Sequence, residues 1–214
     1  MRVQRQVSIA VPIPPSLPPQ AVIATLQTVS PVIRNLGTLS RFEETQAGGE
    51  PVATDQFFYG VGNVGNSPGG TPPAVSSYQI YELITLAPGL TKEVTYPAYF
   101  QRVPEGLRVR ANGAAGITGW CEFTVRARGS HAGSPEGSGS QSGSTPSTGM
   151  SGDVGGYELY ESLVVEANSL LMPFVVQTMT YAHRGLCDKV LQEAAVSYAA
   201  SLGFDEHTKT MGNS

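Results

Sequence analysis

The sequence predicts an α+β fold, in which an antiparallel sheet is covered on one face by a single long C-terminal helix. Strand-like segments follow one another with tight turns between them, a pattern typical of antiparallel sheets. From about Leu170 to Leu202 apolar residues recur every three or four positions, which is the spacing of a helix. Because one face of such a sheet must be covered, we assign that role to the last helix, the only predicted element of sufficient length.

The chain begins with a predicted strand and two short helices. Residues 3–11 alternate as a strand does, and the strand ends at the proline-rich segment 12–19, because proline does not fit a central strand. Residues 20–36 carry apolar side chains at helical spacing. Pro31 interrupts this spacing, so two short helices with a kink between them are expected, with Gly37 as the stop.

A series of strands is predicted between these helices and the C-terminal helix. Pro88-Gly89 and Pro104-Glu105-Gly106 supply turns between successive strands. The predicted strands cover residues 38–46, 54–60, 77–87, 91–103, 107–111, 120–128 and 157–167.

The C-terminal helix has its own start and stop signals. Ser169 can cap its first turn, Pro173 fits that turn, and Gly203 is the predicted end. Gly185, in the middle of the helix, costs roughly 1 kcal/mol relative to alanine. We therefore expect something bulky to lie close to the helix at this glycine.

Two segments rich in glycine and small polar residues, 61–75 and 129–156, are predicted to be insertions. The second is a loop rather than a linker, because the chain after it has one strand and one helix and could not bury a core alone. The predicted organisation is one domain over residues 1–204, followed by a polar tail at 205–214.

Composition limits the function classes. The formal net charge is −4, which argues against nucleic acid as the main partner, since binding to phosphates needs a concentrated basic surface. No apolar run approaches the ~20 residues of a membrane span, and the N-terminus lacks the apolar core of a signal peptide. A cytoplasmic protein with two reduced cysteines is the expectation.

Short motifs give little support for a cofactor or a metal. The glycines of 60–65 match a dinucleotide-binding pattern, but the prolines that follow exclude the helix that such a site needs. His131, His183 and His207 do not have metal-ligand spacing, so neither a metal nor an organic cofactor is expected. Cys187 lies one helical turn after His183 on the same face, and a buried thiol near a histidine is a commoner arrangement than a catalytic pair.

The order of elements resembles a known superfamily. The residues that carry the resemblance are YELITLAPGLTKEVTYPAYFQRVPEGLRVRANGAAGITGWCEF at 81–123, together with the strand and helix of 157–195. This pattern is similar to the START-like and birch-pollen-allergen-like helix-grip superfamily, which includes lipid-transfer domains and polyketide aromatase/cyclases, and in closer detail to a family of fungal proteins with this fold.

The resemblance implies a curved sheet wrapped on the long helix, with a deep apolar cavity between them. Such a cavity would suit a lipid, sterol, polyketide or terpenoid-like ligand. No short catalytic signature accompanies the resemblance, so it assigns no role to any residue. Candidate residues must come from the strand pattern itself.

Alternation along the strands places acidic residues among apolar ones. Glu82 shares a face with Ile80 and Ile84, and Glu161 shares a face with Leu159 and Leu163. A carboxyl group in an apolar pocket is poised to act as a general acid or base. The candidate catalytic residues are Glu82, Glu161, His183 and Tyr96, of which Tyr96 could donate a hydrogen bond to a carbonyl group.

The predicted ligand pocket consists of apolar residues on the same faces. They are Ile80, Ile84, Phe100, Val109, Phe123, Leu159, Leu163, Val175 and Met179. The alternative is that Glu82 or Glu161 pairs with an arginine, such as Arg110 or Arg126, and only stabilises the sheet. A register slip of one residue would send each glutamate to the opposite face.

These observations lead to three functional hypotheses. The first is a cofactor-independent cyclase or isomerase of fungal natural-product metabolism, which acts on an apolar polyketide- or terpenoid-like molecule. The second is a carrier that binds the same class of ligand without chemistry, and it should tolerate loss of the candidate catalytic residues. The third is an interaction protein that works through the two inserted segments.

Overall fold

A computed structural model of the chain describes residues 1–45, 55–59, 75–129 and 156–211. Its strands are β1 (Arg2–Pro12), β2 (Leu39–Thr45), β3 (Val75–Ala87), β4 (Leu90–Val103), β5 (Gly106–Asn112), β6 (Thr118–Ala127) and β7 (Tyr157–Asn168). Its α-helices are α1 (Pro19–Gln27), α2 (Ser30–Arg34), α3 (Gln56–Tyr59) and α4 (Met172–Met211), and a short 3-10 helix covers Ala114–Gly116.

The seven strands form one antiparallel sheet with the order β1-β7-β6-β5-β4-β3-β2. Strands β2 to β7 therefore lie side by side in chain order. The first strand, β1, pairs with the last, β7, and forms the other edge of the sheet. The long helix α4 packs against β1 and β7. This curved sheet, with its long C-terminal helix and two short helices after the first strand, confirms the predicted helix-grip fold.

The break between α1 and α2 lies just before Pro31. Val29 adopts a positive φ of 66°, and Pro31 occupies the first turn of α2, where its missing N–H is not needed. The predicted pair of short helices with a kink is confirmed. Both helices turn apolar side chains inward, and Val22, Leu26 and Ile33 are completely buried.

The main core lies between the inner face of the sheet and the helices. The inner face is the one that α1 and α4 cover, and it includes Val109, Phe123 and Leu159. Helix α4 contributes a stripe at helical spacing to this core: Leu186, Cys187, Val190, Leu191 and Ala194. Leu159 thus lies on the buried face, where the alternation of its strand predicted it.

The outer face of the sheet carries the short helix α3, where we predicted a strand at 54–60. That prediction is wrong for the described residues of the segment. The Asp55 side chain accepts a hydrogen bond from the backbone N–H of Phe57 at 2.9 Å, which favours a helical start. Phe58 is completely buried, and its carbonyl oxygen accepts a hydrogen bond from Gln101 Nε2 at 2.9 Å. Tertiary packing thus overrides the strand propensity of the aromatic residues.

Two predictions about α4 are wrong. The helix does not end at Gly203 but continues to Met211, into the segment predicted as a polar tail. Within the described residues no bulky group lies against Gly185 either, because a methyl group at its Cα would meet no atom within 4 Å.

Several predictions concern residues outside the described ranges. They are the glycine motif at 60–65, most of the two predicted insertions, and His131. Within the described ranges, no helix is long and apolar enough to cross a membrane.

Candidate active site

Glu161 is a charged residue at the centre of the protein. It lies in the middle of β7, between Leu159 and Leu163 on the inner face, and is directly opposite Ile9 of β1 and Phe123 of β6. Its exposed fraction is 0%. A carboxyl group in such a place needs partners, because burial of an unpaired charge is very costly.

Helix α4 supplies two of these partners. His183 Nδ1 lies 2.5 Å from Glu161 Oε1, and Cys187 Sγ lies 3.6 Å from Glu161 Oε2. The two residues are one helical turn apart, so they reach the same carboxyl group, as their shared helix face predicted. The His183 side chain is 15% exposed whereas that of Glu161 is not exposed at all, so His183 connects the buried carboxyl group with the surface.

A third partner comes from strand β6. Cys121 is directly opposite Leu163, which places it diagonally across from Glu161 on the inner face. One donor atom from each of Cys121, Glu161 and His183 lies within 4.8 Å of the others. We refer to Cys121, Glu161, His183 and Cys187 as the Glu161 cluster. Its members come from three elements, which is why their spacing in the sequence did not reveal it.

Both thiols of the cluster are held in the neutral form. Burial raises the pKa of Cys121, and the charge and hydrogen bonding of Glu161 raise it further. The pKa of Cys187 is raised for the same two reasons, with burial again the larger. A nucleophilic cysteine needs a lowered pKa, so in this environment the thiols are hydrogen-bond donors to Glu161 rather than nucleophiles.

A second acidic pair occupies the inner face farther along the sheet. Ile80 of β3 is opposite Tyr96 of β4, so Glu82 lies diagonally across from Tyr96. Burial raises the pKa of Tyr96, and the charge of Glu82 and a hydrogen bond to it add to this effect. The phenol therefore stays protonated, and its O–H group donates a hydrogen bond to the Glu82 carboxylate. Tyr96 packs against the main core to which Cys121 belongs, so the pair and the Glu161 cluster face the same interior.

The arginines named as alternative partners lie on the outer face instead. Arg110 pairs with Asp55 at 2.7 Å, and Arg126 pairs with Glu158 at 2.8 Å. The alternation of strands β5 and β6, which turns Val109 and Val125 inward, turns these arginines outward. The alternative that Arg110 or Arg126 pairs with Glu82 or Glu161 is wrong.

The predicted pocket residues are distributed over the interior. Ile80, Phe100, Val109, Phe123, Leu159 and Leu163 belong to the main core. Met179 packs against this core, Val175 lies in a smaller neighbouring core with Val165, and Ile84 is half-buried. The predicted cavity between sheet and helix stays a prediction.

Two open grooves lie elsewhere on the surface. One, of about 590 Å³, runs between α1, α2 and α4. The other, of about 240 Å³, lies on the outer face beside Phe57 and Trp120.

Comparison with known proteins identifies a family but no curated relative. The model of a family described as "Domain of unknown function (DUF7053)" matches residues 2–196. No curated protein matches the chain.

The similar solved structures include TTHA0849 from Thermus thermophilus, with 12% identity, a TM-score of 0.46, and coverage of 91% of this chain and 99% of that chain. They also include the di-domain ARO/CYC BexL from the BE-7585A biosynthetic pathway, with 11% identity, a TM-score of 0.48, and coverage of 89% and 50%. A third is the di-domain ARO/CYC StfQ from the steffimycin biosynthetic pathway, with 9% identity, a TM-score of 0.45, and coverage of 94% and 52%. This chain thus spans about half the length of each di-domain protein.

Proposed function

This chain belongs to the family described as "Domain of unknown function (DUF7053)", and we propose that it binds an apolar small molecule and moves a proton to or from it through Glu161 and His183. One observation carries this proposal. A completely buried carboxyl group is joined to a histidine that is itself partly exposed. The inner face around them is apolar, which favours an apolar ligand.

The geometry divides the work between the two residues. Glu161 engages Nδ1 of His183, so Nε2 is the ring nitrogen that exchanges a proton with the ligand. A carboxylate in this position fixes the tautomer and the orientation of the imidazole and stabilises its protonated form. Glu161 is therefore the positioning residue, and His183 is the general acid or base.

The second inner pair supports a ligand with a carbonyl group. Tyr96 keeps its proton because burial and Glu82 raise its pKa. A protonated phenol in an apolar site can donate a hydrogen bond to an oxygen on which negative charge develops. Proton transfer next to a carbonyl group, combined with shape-driven folding of the substrate, is the chemistry of a cofactor-independent cyclase or isomerase. A polyketide- or terpenoid-like substrate, a fungal origin and a cytoplasmic location are part of the proposal.

The first experiment identifies the ligand. Native mass spectrometry of the purified full chain, followed by denaturing extraction, should release an apolar metabolite present at about one per chain. The extracted compound is then incubated with fresh protein and deuterated water, and incorporation of deuterium or a change in structure is measured. A protein that carries no such compound and does not bind 1-anilinonaphthalene-8-sulfonate contradicts the proposal.

Variants then separate an enzyme from a carrier. We expect His183→Gln and Glu161→Gln to bind the compound but to lose more than about tenfold of the exchange rate, since general acid–base catalysis contributes about 100-fold or more. Glu158→Gln, on the outer face of the same strand, and Arg184→Gln, next to His183 on the exposed side of the helix, are matched controls that should keep the rate. Binding without any exchange in the unmodified protein would instead establish a carrier.

A further inference from the structure

We propose that Cys121, Glu161 and His183 form a binding site for a divalent transition metal ion of the Zn²⁺ class. The donor atoms of these three residues lie within 4.8 Å of one another in the interior of the protein. They are presented by three different elements, β6, β7 and α4, so the fold itself assembles the site. Cys187 Sγ lies 3.6 Å from Glu161 Oε2 but is not among these three mutually close donors.

The types of donor select the metal. One sulfur, one imidazole nitrogen and one carboxylate oxygen are the ligands that Zn²⁺ and Co²⁺ accept in proteins. Mg²⁺ and Ca²⁺ require shells of oxygen ligands, which this cluster does not provide. Three protein ligands leave one tetrahedral position for an atom of a bound molecule.

The observed spacing needs only a small adjustment to hold an ion. Metal–ligand bonds of about 2.0–2.3 Å place the donors of a tetrahedral site about 3.4–3.8 Å apart. The 2.5 Å contact between His183 Nδ1 and Glu161 Oε1 must therefore open by about 1 Å. The Cys121 thiol moves inward by up to about the same amount, from a separation of at most 4.8 Å.

Charge balance favours the ion in this interior. A Cys121 thiolate, a Glu161 carboxylate and a neutral His183 together carry two negative charges, which a divalent cation neutralises. Binding releases the thiol proton to solvent and leaves no net charge. Without the ion, the described contacts of Glu161 are with one imidazole and two thiols. Neither an arginine nor a lysine is among them. A neutral complex suits a low-dielectric site better than a carboxylate whose partners carry no permanent charge.

This inference uses residues of the proposed proton-transfer site but does not rest on that function. An ion bound between Nδ1 and the carboxylate would replace the hydrogen bond that orients His183. Metal binding and proton transfer by this pair therefore exclude each other. The test below measures metal binding alone, so that its failure and the failure of the proposed function can be told apart.

The experiment is a titration of the full chain with Co²⁺ after removal of bound metal by a chelator. We expect one Co²⁺ per chain, a thiolate-to-cobalt charge-transfer band in the near ultraviolet, and the visible bands of tetrahedral Co²⁺. Added Zn²⁺ should displace the cobalt and abolish these bands. Absence of the charge-transfer band, or binding at no defined stoichiometry, would overturn the proposal.

Variants assign the ligands. Cys121→Ser should weaken Co²⁺ binding by more than about tenfold and remove or strongly reduce the charge-transfer band. His183→Gln changes a partly exposed helix residue, so it keeps the test valid if the Cys121 variant does not fold, and it should weaken binding by a similar factor. Glu158→Gln is the control and should bind Co²⁺ as the unmodified protein does. Unchanged Co²⁺ affinity in the His183 variant would contradict the site.

Discussion

The inner and outer faces of the sheet pair their acidic residues with different kinds of partner. On the outer face, Arg108 pairs with Glu122, Arg110 with Asp55, and Arg126 with Glu158. On the inner face, Glu161 contacts an imidazole and thiols, and Glu82 accepts a hydrogen bond from a phenol. Strand β7 contributes to both groups, because Glu158 and Glu161 are an odd number of residues apart and point to opposite faces.

This difference indicates that the outer pairs stabilise the structure, whereas the inner pairs are suited to chemistry. An arginine keeps its charge at any working pH, so the outer pairs are fixed and serve to hold the strands and α3 in place. The partners of the inner acids are an imidazole, thiols and a phenol, none of which is permanently charged. The proposed proton transfer and the proposed metal site both use residues of the inner face, so substitutions on the two faces should have different consequences.

The largest effect is expected for Glu161→Gln. Both carboxylate oxygens of Glu161 accept hydrogen bonds, and an amide would present its NH₂ group to a donor in a completely buried site. A buried unsatisfied polar group costs about 1–3 kcal/mol, so the free energy of unfolding, measured with urea, should fall by about that amount.

Glu158→Gln is the matched substitution on the outer face of the same strand. Its partner Arg126 has a side chain that is 23% exposed and can turn to solvent. The expected loss is below about 1 kcal/mol. If Glu158→Gln and Glu161→Gln lost the same free energy of unfolding, the contrast between the two faces would not affect stability.

Asp55 tests the outer face more directly. Its carboxylate accepts hydrogen bonds from Arg110 at 2.7 Å, from Trp120 Nε1 at 3.0 Å and from the Phe57 backbone at 2.9 Å. Asp55→Asn should cost about 1–2 kcal/mol, because an amide cannot accept all three. Trp120 is the only tryptophan of the chain, so its fluorescence emission should shift.

The same variant should leave the inner face unchanged. Co²⁺ affinity and ligand binding are expected to stay within about twofold of the unmodified protein, since distant independent sites act additively. A loss of Co²⁺ binding in Asp55→Asn would show that the two faces are coupled.

Much of this contrast could be predicted from the sequence, because it depends on the two-residue period of strands. That period placed Glu82 and Glu161 on the inner face, and the helical repeat placed His183 and Cys187 together. The approach of Cys121 to Glu161 depends on the register between β6 and β7, which no local pattern gives. The alternation of β6, which places Cys121 and Phe123 on the same face, could nevertheless have indicated that Cys121 points inward.

The two wrong predictions, of a strand at 54–60 and of a helix end at Gly203, also have physical causes. The aromatic run at 57–59 has a strand-like composition, but a helix forms because Phe58 is buried against the sheet and Asp55 caps it. Gly203 was predicted to end α4 from its intrinsic preference alone, and that preference is a weak signal.

A smaller and opposite effect is expected for Gly185→Ala in α4. No atom of the described part of the chain lies within 4 Å of the position of the added methyl group, and alanine is favoured over glycine in a helix by about 1 kcal/mol. The variant should be more stable by about that amount in urea unfolding.

Gly106 on the sheet is the control for this substitution. A Cβ there would lie 1.9 Å from the carbonyl oxygen of Phe123, so Gly106→Ala should destabilise the protein. A destabilised Gly185→Ala would mean that α4 is more closely packed near His183 than the described contacts show.

The smallest effect at neutral pH is expected for Tyr96→Phe, and it should change with pH. Burial and Glu82 raise the pKa of Tyr96 above its ordinary value of about 10. A group whose folded pKa is raised contributes stability that is fully present below its unfolded pKa and is lost as pH rises through the folded pKa. The unmodified protein should therefore lose stability above pH ~10, by at most about 1.4 kcal/mol per pH unit from this residue.

Tyr96→Phe removes that dependence, so the difference in stability between the two proteins should shift in favour of the variant as the pH rises from 9 to 11. Urea unfolding at several pH values measures the difference, and Tyr157→Phe, at a residue that is 46% exposed, serves as the control. A stability difference that stays constant over this range would show that Tyr96 is not held protonated by its surroundings. The support that Tyr96 gives to a ligand with a carbonyl group would then be lost, and the proposed function would depend on Glu161 and His183 alone.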